Sequence, residues 1–193
     1  MADETGEAAA RPTIGSLANL PTPALVLRYE GGANRIPASV LRLGPEALDR
    51  GFEPSSGVGR WPVRGLLSHL ADAELVLTHR MRRQVSESRP VFTVWDPDAF
   101  IEGTVYGERG RAERLPAAGF VAVVHTLRRW TAEWLRTLGE DAWARSGLHP
   151  EAGEQTLRAQ VEKATWHLEH HAWFLERKLE AMGVAKAEGP AAS

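Results

Sequence analysis

Three of the chain's seven histidines fall within five positions, in Trp166-His167-Leu168-Glu169-His170-His171. Imidazole nitrogens bind divalent metals, and residues four apart share one side of a helix with β-carbons roughly 5–6 Å apart. His167 and His171 can therefore aim two nitrogens at one point, which is half of a zinc site. A third ligand has to come from another element. His69 is the candidate, because it lies at the edge of an apolar helical face beside Leu66, Ala73 and Val76. Three neutral imidazoles with one coordination position left open is the arrangement of catalytic zinc. The opposing reading makes His69 a hydrogen-bonded core residue and the HxxxH spacing a coincidence, and spacing leaves both open. His79, His125 and His149 read as surface or packing residues.

Four helical segments have to position these groups. The first, about Thr22 to Arg42, is the weakest, interrupted by Gly31-Gly32 and Pro37, and is expected to split or to form mainly after the glycines. One short helical turn is expected at Gly44-Pro45-Glu46-Ala47-Leu48-Asp49. The second segment opens at Trp61-Pro62, with proline at a first-turn position, and runs to about Gln84. Its apolar arc (Val63, Leu66, Leu67, Leu70, Ala73, Val76, Leu77, Met81) is broken by His69 and Glu74, while Leu75 falls outside it without explanation. Residues 86–116 lose periodicity: an aromatic half expected to pack is followed by a charged run, Glu108 to Arg114, expected to stay solvated. The third segment, about Ala117 to Leu138, places Phe120, Val123, Val124, Leu127, Trp130, Trp134, Leu135 and Leu138 on one face, read as plain core. Pro150 and Gly153 mark a turn, Thr156 is a candidate N-cap, and the fourth segment continues to about Met182.

On that fourth segment Leu157, Val161, Ala164, Leu168, Ala172, Leu175, Leu179 and Met182 form a narrow stripe. His171 lies about 55° and His167 about 95° from its centre, both on one side, whereas His170 lies about 155° away and points outward. Glu169 falls with the charged face and reads as surface. Trp166, Trp173 and Phe174 make a second aromatic patch, expected to pack against another copy of the chain in a homodimer.

Composition limits the function classes. With 193 residues the chain is long enough for one domain with tails: an expected disordered segment at 1–16, a bundle at 17–183 and a second tail at 184–193. Net charge is −2, with Lys+Arg 23 interspersed among Asp+Glu 25, so no nucleic-acid affinity is expected. No apolar run approaches a membrane span and no secretory leader is read, so the expectation is a cytoplasmic protein without a membrane partner. The absence of cysteine excludes disulfides, thiol nucleophiles and thiolate ligands.

The residues also carry a resemblance. Trp61-Pro62-Val63-Arg64-Gly65-Leu66-Leu67-Ser68-His69-Leu70-Ala71-Asp72-Ala73-Glu74 resembles the tryptophan-led second helix of the DinB-like superfamily, and Trp166 to His171 resembles its fourth-helix signature. Trp95-Asp96-Pro97-Asp98-Ala99-Phe100 and Ser146-Gly147-Leu148-His149-Pro150 are similar to its YfiT-type branch of metal-dependent hydrolases. The resemblance implies an all-α four-helix bundle, often a homodimer, with a long connection between the second and third helices and with zinc or nickel held by His69, His167 and His171. Glu74 and Phe174 stand where some such chains carry further histidines. The expected function is metal-dependent hydrolysis of a small-molecule substrate, with Asp72 and Glu74 as candidate bases. The alternatives are S-transfer using a low-molecular-weight thiol of the bacillithiol or mycothiol type, and a bundle that binds a metal or small ligand without catalysis.

Overall fold

The computed structural model describes residues 10–102, 105 and 115–184, and the tails at 1–9 and 185–193 and the run Glu108 to Arg114 lie outside the described residues. Four main helices make the bundle: α1 (Thr22–Gly31), α3 (Val63–Ser86), α5 (Ala117–Leu135) and α7 (Leu157–Ala181). α3 packs on α5 and α7, and α1 closes against α5 and α7. Short helices fill the connections: α2 (Pro45–Leu48), α4 (Pro97–Glu102) and α6 (Glu140–Trp143). No helix among the described residues is long and apolar enough to cross a membrane.

α1 forms before the glycines rather than after them. It begins with Pro23 in its first turn and ends at Gly31, and the chain then continues as 3-10 turns at Gly32–Arg35 and Ala38–Arg42 on either side of Pro37. Gly32 passes close to its neighbours. A β-carbon there would stand 2.5 Å from Arg128 Nη1 and 3.1 Å from Leu168 Cδ2. α3 begins at Val63 with Pro62 as its extended N-cap, one residue outside the position expected, and Val63, Leu66, Leu67, Leu70, Ala73, Leu77 and Met81 are buried as its arc requires.

The face of α5 differs from the expected one. Phe120, Val124 and Leu135 are buried, but Trp130 is 53% exposed, and Arg128 and Thr131 face inward instead. Trp130 still has a partner, because the Arg82 guanidinium lies 3.7 Å from its ring centre. α7 matches its expected stripe, with Leu157, Val161, Ala164, Leu168, Ala172, Leu175 and Leu179 buried and Thr156 Oγ1 accepting from Ala159 N at 3.1 Å.

Two features gave no periodic signal. α4 lies inside the aperiodic connection, where Asp96 Oδ1 accepts from Ala99 N at 3.0 Å and so caps a six-residue helix. The expected turn around Pro150 is an antiparallel hairpin, β1 (Ser146–His149) against β2 (Gly153–Thr156), with Gly153 at φ 77°. Strands of four residues are too short for alternation to register. This hairpin anchors the long connection: Phe92 N donates to Leu148 O at 2.9 Å, Leu148 N donates to Pro90 O at 2.8 Å, and the buried Phe92 ring lies against Gly147. The connection is thereby held where its next aromatic, Trp95, covers the α3–α7 seam.

Candidate metal centre

α3 and α7 pass in opposite directions. His69 near the start of α3 meets His167 and His171 midway along α7, while Gln84 near the end of α3 donates to Gln155 O just ahead of α7. The candidate ligand nitrogens converge: His69 Nε2 is 3.0 Å from His167 Nε2 and 3.2 Å from His171 Nε2, and one ligand atom from each lies within 4.8 Å of the others. Burial brings His69 down to about 4, against an opposing effect of Asp98. His171 falls to about 2 through burial and then its histidine neighbours, and His167 also lies well below its ordinary value, first through burial. All three rings are therefore neutral near pH 7, the state in which imidazole binds metal.

The donor set fits a divalent cation. A neutral imidazole nitrogen either donates one N–H or accepts through one lone pair, so His69 Nε2 can satisfy only one of its two close nitrogens in a two-centre hydrogen bond. A cation at the convergence point accepts all three lone pairs. The Nδ1 atoms of His69, His167 and His171 are buried without a partner among the described residues. No side chain there fixes the ring tautomers from behind.

Sequence reasoning missed the walls of the site. Trp95 stacks on His69 with ring centres 5.5 Å apart and planes 10° apart, and Trp61 lies 4.9 Å from His69 and 6.3 Å from His171. Phe100 of α4 meets the edge of Trp95 at 5.7 Å. Both indole Nε1 atoms are buried without a partner among the described residues. Beyond the motifs that carry the family resemblance, their sequence signal is that each lies one or two residues ahead of a proline that precedes or opens a helix.

The two carboxylate candidates separate. Asp72 is 9% exposed on α3, three residues after His69. Glu74 faces another cluster: its oxygens accept from Arg128 Nε at 2.7 Å and Tyr29 Oη at 3.2 Å rather than being presented to the histidines. Glu169 is also corrected, since it is 2% exposed and accepts two hydrogen bonds of 2.8 Å from Arg28. His170 is half-buried against Arg11 and stays outside the convergence. His125 is exposed, and His149 is buried, with its Nδ1 accepting from Glu151 N and Ala152 N.

Trp166, Trp173 and Phe174 form a continuous patch with His170, as their spacing predicts. Part of it is covered by the chain's own N-terminal segment: Trp166 Nε1 donates to Pro12 O at 3.1 Å, and the Arg11 guanidinium lies 5.1 Å from the Phe174 ring centre. Residues 10–16, placed in the tail by composition, thus lie on the bundle at this point.

Comparison with known proteins agrees with this architecture. The sequence profile of the DinB superfamily matches residues 7–175. Relatives bearing the name "putative metal-dependent hydrolase" include one from Oceanobacillus iheyensis, 26% identical over 69% of this chain and 71% of its own length. Another is YfiT from Bacillus subtilis, 29% identical over 65% of this chain and 67% of its own. The solved structure of Bacillus subtilis YfiT, a four-helix bundle of unusual topology, superposes with a TM-score of 0.75 at 21% identity, covering 94% of this chain and 97% of that one. Profile match, relatives and bundle architecture agree across most of the chain, which belongs to the DinB superfamily.

Proposed function

We propose that the protein is a divalent-metal-dependent hydrolase acting on a small molecule, with His69, His167 and His171 as its ligands. The observation that carries this reading is the convergence of three Nε2 atoms on neutral imidazoles from two helices, His69 buried and His167 and His171 half-buried. Three imidazoles suit zinc and nickel alike and leave a position open, unlike a structural zinc site closed by four protein ligands. When bound, the ion supplies Lewis-acid polarisation of a substrate oxygen and acidifies water.

The rest is the work of the chain's own groups. Two ligands on one rigid helix and one on its neighbour hold the nitrogens in place without help from a loop. Trp61 and Trp95 exclude solvent from the His69 side and leave indole N–H groups without partners among the described residues. Asp72, one turn beyond His69, is the carboxylate assigned here to accept a proton, since Glu74 is held by Arg128 and Tyr29.

Metal content measured by plasma mass spectrometry tests the assignment. One zinc or nickel per chain is expected, lost in His69→Ala and His171→Ala and kept in His170→Ala, whose ring pairs with Arg11. No metal after repletion with either ion would overturn it. In an ester and amide screen, turnover only with an added low-molecular-weight thiol would move the reaction to S-transfer.

A further inference from the structure

Among the described residues, three arginines are almost wholly buried in the bundle, and one of them has no carboxylate there. Arg64 is bonded to both oxygens of Asp49, and Arg128 is paired with Glu74. Arg80, 6% exposed, donates from Nη2 to Thr93 O at 2.7 Å and lies 5.6 Å from the Phe92 ring centre, and it has no ion pair among the described residues. Lys163 is lowered by burial and then by Arg80, and His149 by burial and then by Arg80 and Lys163, with only the exposed Glu151 opposing. A guanidinium cannot escape burial by losing its proton, so an unpaired one is costly unless an anion reaches it.

The cluster lies along the same seam as the histidines. Arg80 follows His69 by eleven residues, three turns and about 20° round α3, and Lys163 precedes His167 by one turn. Because α3 and α7 run in opposite directions, both cations are displaced the same way, by roughly 16 Å and 6 Å along their helices. A cavity of about 510 Å³ lies beside Arg80, lined also by Leu75, Val76, Thr93, Trp95 and Phe100, and its Trp95 wall is the indole stacked on His69. Leu75, 53% exposed and unexplained by the apolar arc of α3, has its place as part of this wall. Of the other charges at the cavity, Arg83 is paired with Glu87 and Asp96 caps α4.

From this placement we infer that Arg80, with Lys163 on the facing helix, is an anion subsite for the substrate of the histidine centre, and that this substrate carries a carboxylate or phosphate several bonds from the group that reacts. The arginine fork suits either anion, since both accept paired N–H donors. The link to a substrate rests on the hydrolase reading, whereas the subsite itself rests on Arg80 and its neighbours.

Calorimetric titration of inorganic phosphate, and separately of succinate, into the full-length protein tests this, first as purified and again after chelation. One anion per chain is expected, weakened about tenfold in Lys163→Gln through loss of a charged partner. It should be lost in Arg80→Gln and unchanged in Arg83→Gln. Binding of phosphate alone assigns a phosphate-bearing substrate, and binding of succinate alone a carboxylate. An anion held by the metal would disappear on chelation and ignore Lys163→Gln, and that pattern overturns the subsite. So does equal binding by every variant, or binding of neither probe; should Arg80→Gln not fold, Lys163→Gln decides. Anion binding by a protein that takes up no metal keeps the subsite and removes the hydrolase reading, so the two fail separately.

Discussion

Arg128 Nε donates to Glu74 Oε1 at 2.7 Å in the middle of the bundle, where the two side chains are 0% and 1% exposed. The same guanidinium donates to Tyr29 O and Ala164 O, and Tyr29 Oη completes the Glu74 carboxylate. One side chain of α5 thus ties α1, α3 and α7 together. Removing one partner leaves the other charge buried, a loss of about 3–5 kcal/mol. Arg128→Met is expected to lower stability by that amount in urea unfolding, and Arg128→Met with Glu74→Leu to recover part of it. A loss below about 1 kcal/mol in the single variant would mean that the pair does not hold the bundle.

This pair also marks where the sequence stops being readable. A helical wheel finds a face by its apolar residues, so it placed Trp130 inside and gave no sign that Arg128 is buried, and it left Glu169 on the surface although Arg28 holds it at 2% exposure. Burial of these charges is decided by partners on other helices, which no local pattern carries. His167 and His171 were legible because both lie on one helix, where spacing alone fixes their common face. His69 needed the order of elements and the family resemblance as well. Trp61 and Trp95 became site residues only through packing: Phe92 wedged on Gly147 sets the position of the connection that carries Trp95.

Two adjacent glycines give a clean comparison. Gly31 and Gly32 both have right-handed backbone angles, at φ −67° and −56°, so alanine suits either locally. A β-carbon at Gly31 meets nothing within 4 Å, whereas at Gly32 it meets Arg128 Nη1 at 2.5 Å. Gly31→Ala is expected to be neutral or to stabilise by up to about 1 kcal/mol. Gly32→Ala should cost about 1–3 kcal/mol because the Arg128 network has to shift. Equal changes in thermal unfolding for the two variants would remove the close approach at Gly32 as a constraint.

Trp61 and Trp95 give the proposed metal site an optical readout. Their ring centres lie 4.9 and 5.5 Å from that of His69, close enough for open-shell nickel at the histidines to quench their emission. Titration with nickel should quench tryptophan fluorescence to saturation at one equivalent, and Trp61→Phe with Trp95→Phe should remove most of the change. Trp143→Phe, in a separate cavity beside Leu138, should leave it intact. Undiminished quenching in the double variant would locate the nickel elsewhere.

Lys178 should give the folded protein an alkaline gain in stability. Its ammonium is 1% exposed, donates to Gly59 O at 2.8 Å and lies 4.4 Å from the Phe52 ring centre, and burial lowers it to about 8 from 10.5. Between those two values the unfolded chain holds more protons than the folded one. Stability from this group therefore rises as pH climbs from about 8 towards 10.5, by at most about 1.4 kcal/mol per unit. Tyr29 acts in the opposite direction, because burial raises its hydroxyl and the unfolded chain ionises first near pH 10, so the window to read is pH 7.5–9.5. Urea midpoints should increase across that window in the wild-type protein and lose most of the increase in Lys178→Met, even though Gly59 O loses its donor there, with the remainder due to Lys163, which burial also lowers. The same slope in both proteins would assign the gain to another group and mean that Lys178 keeps its proton at ordinary alkaline pH.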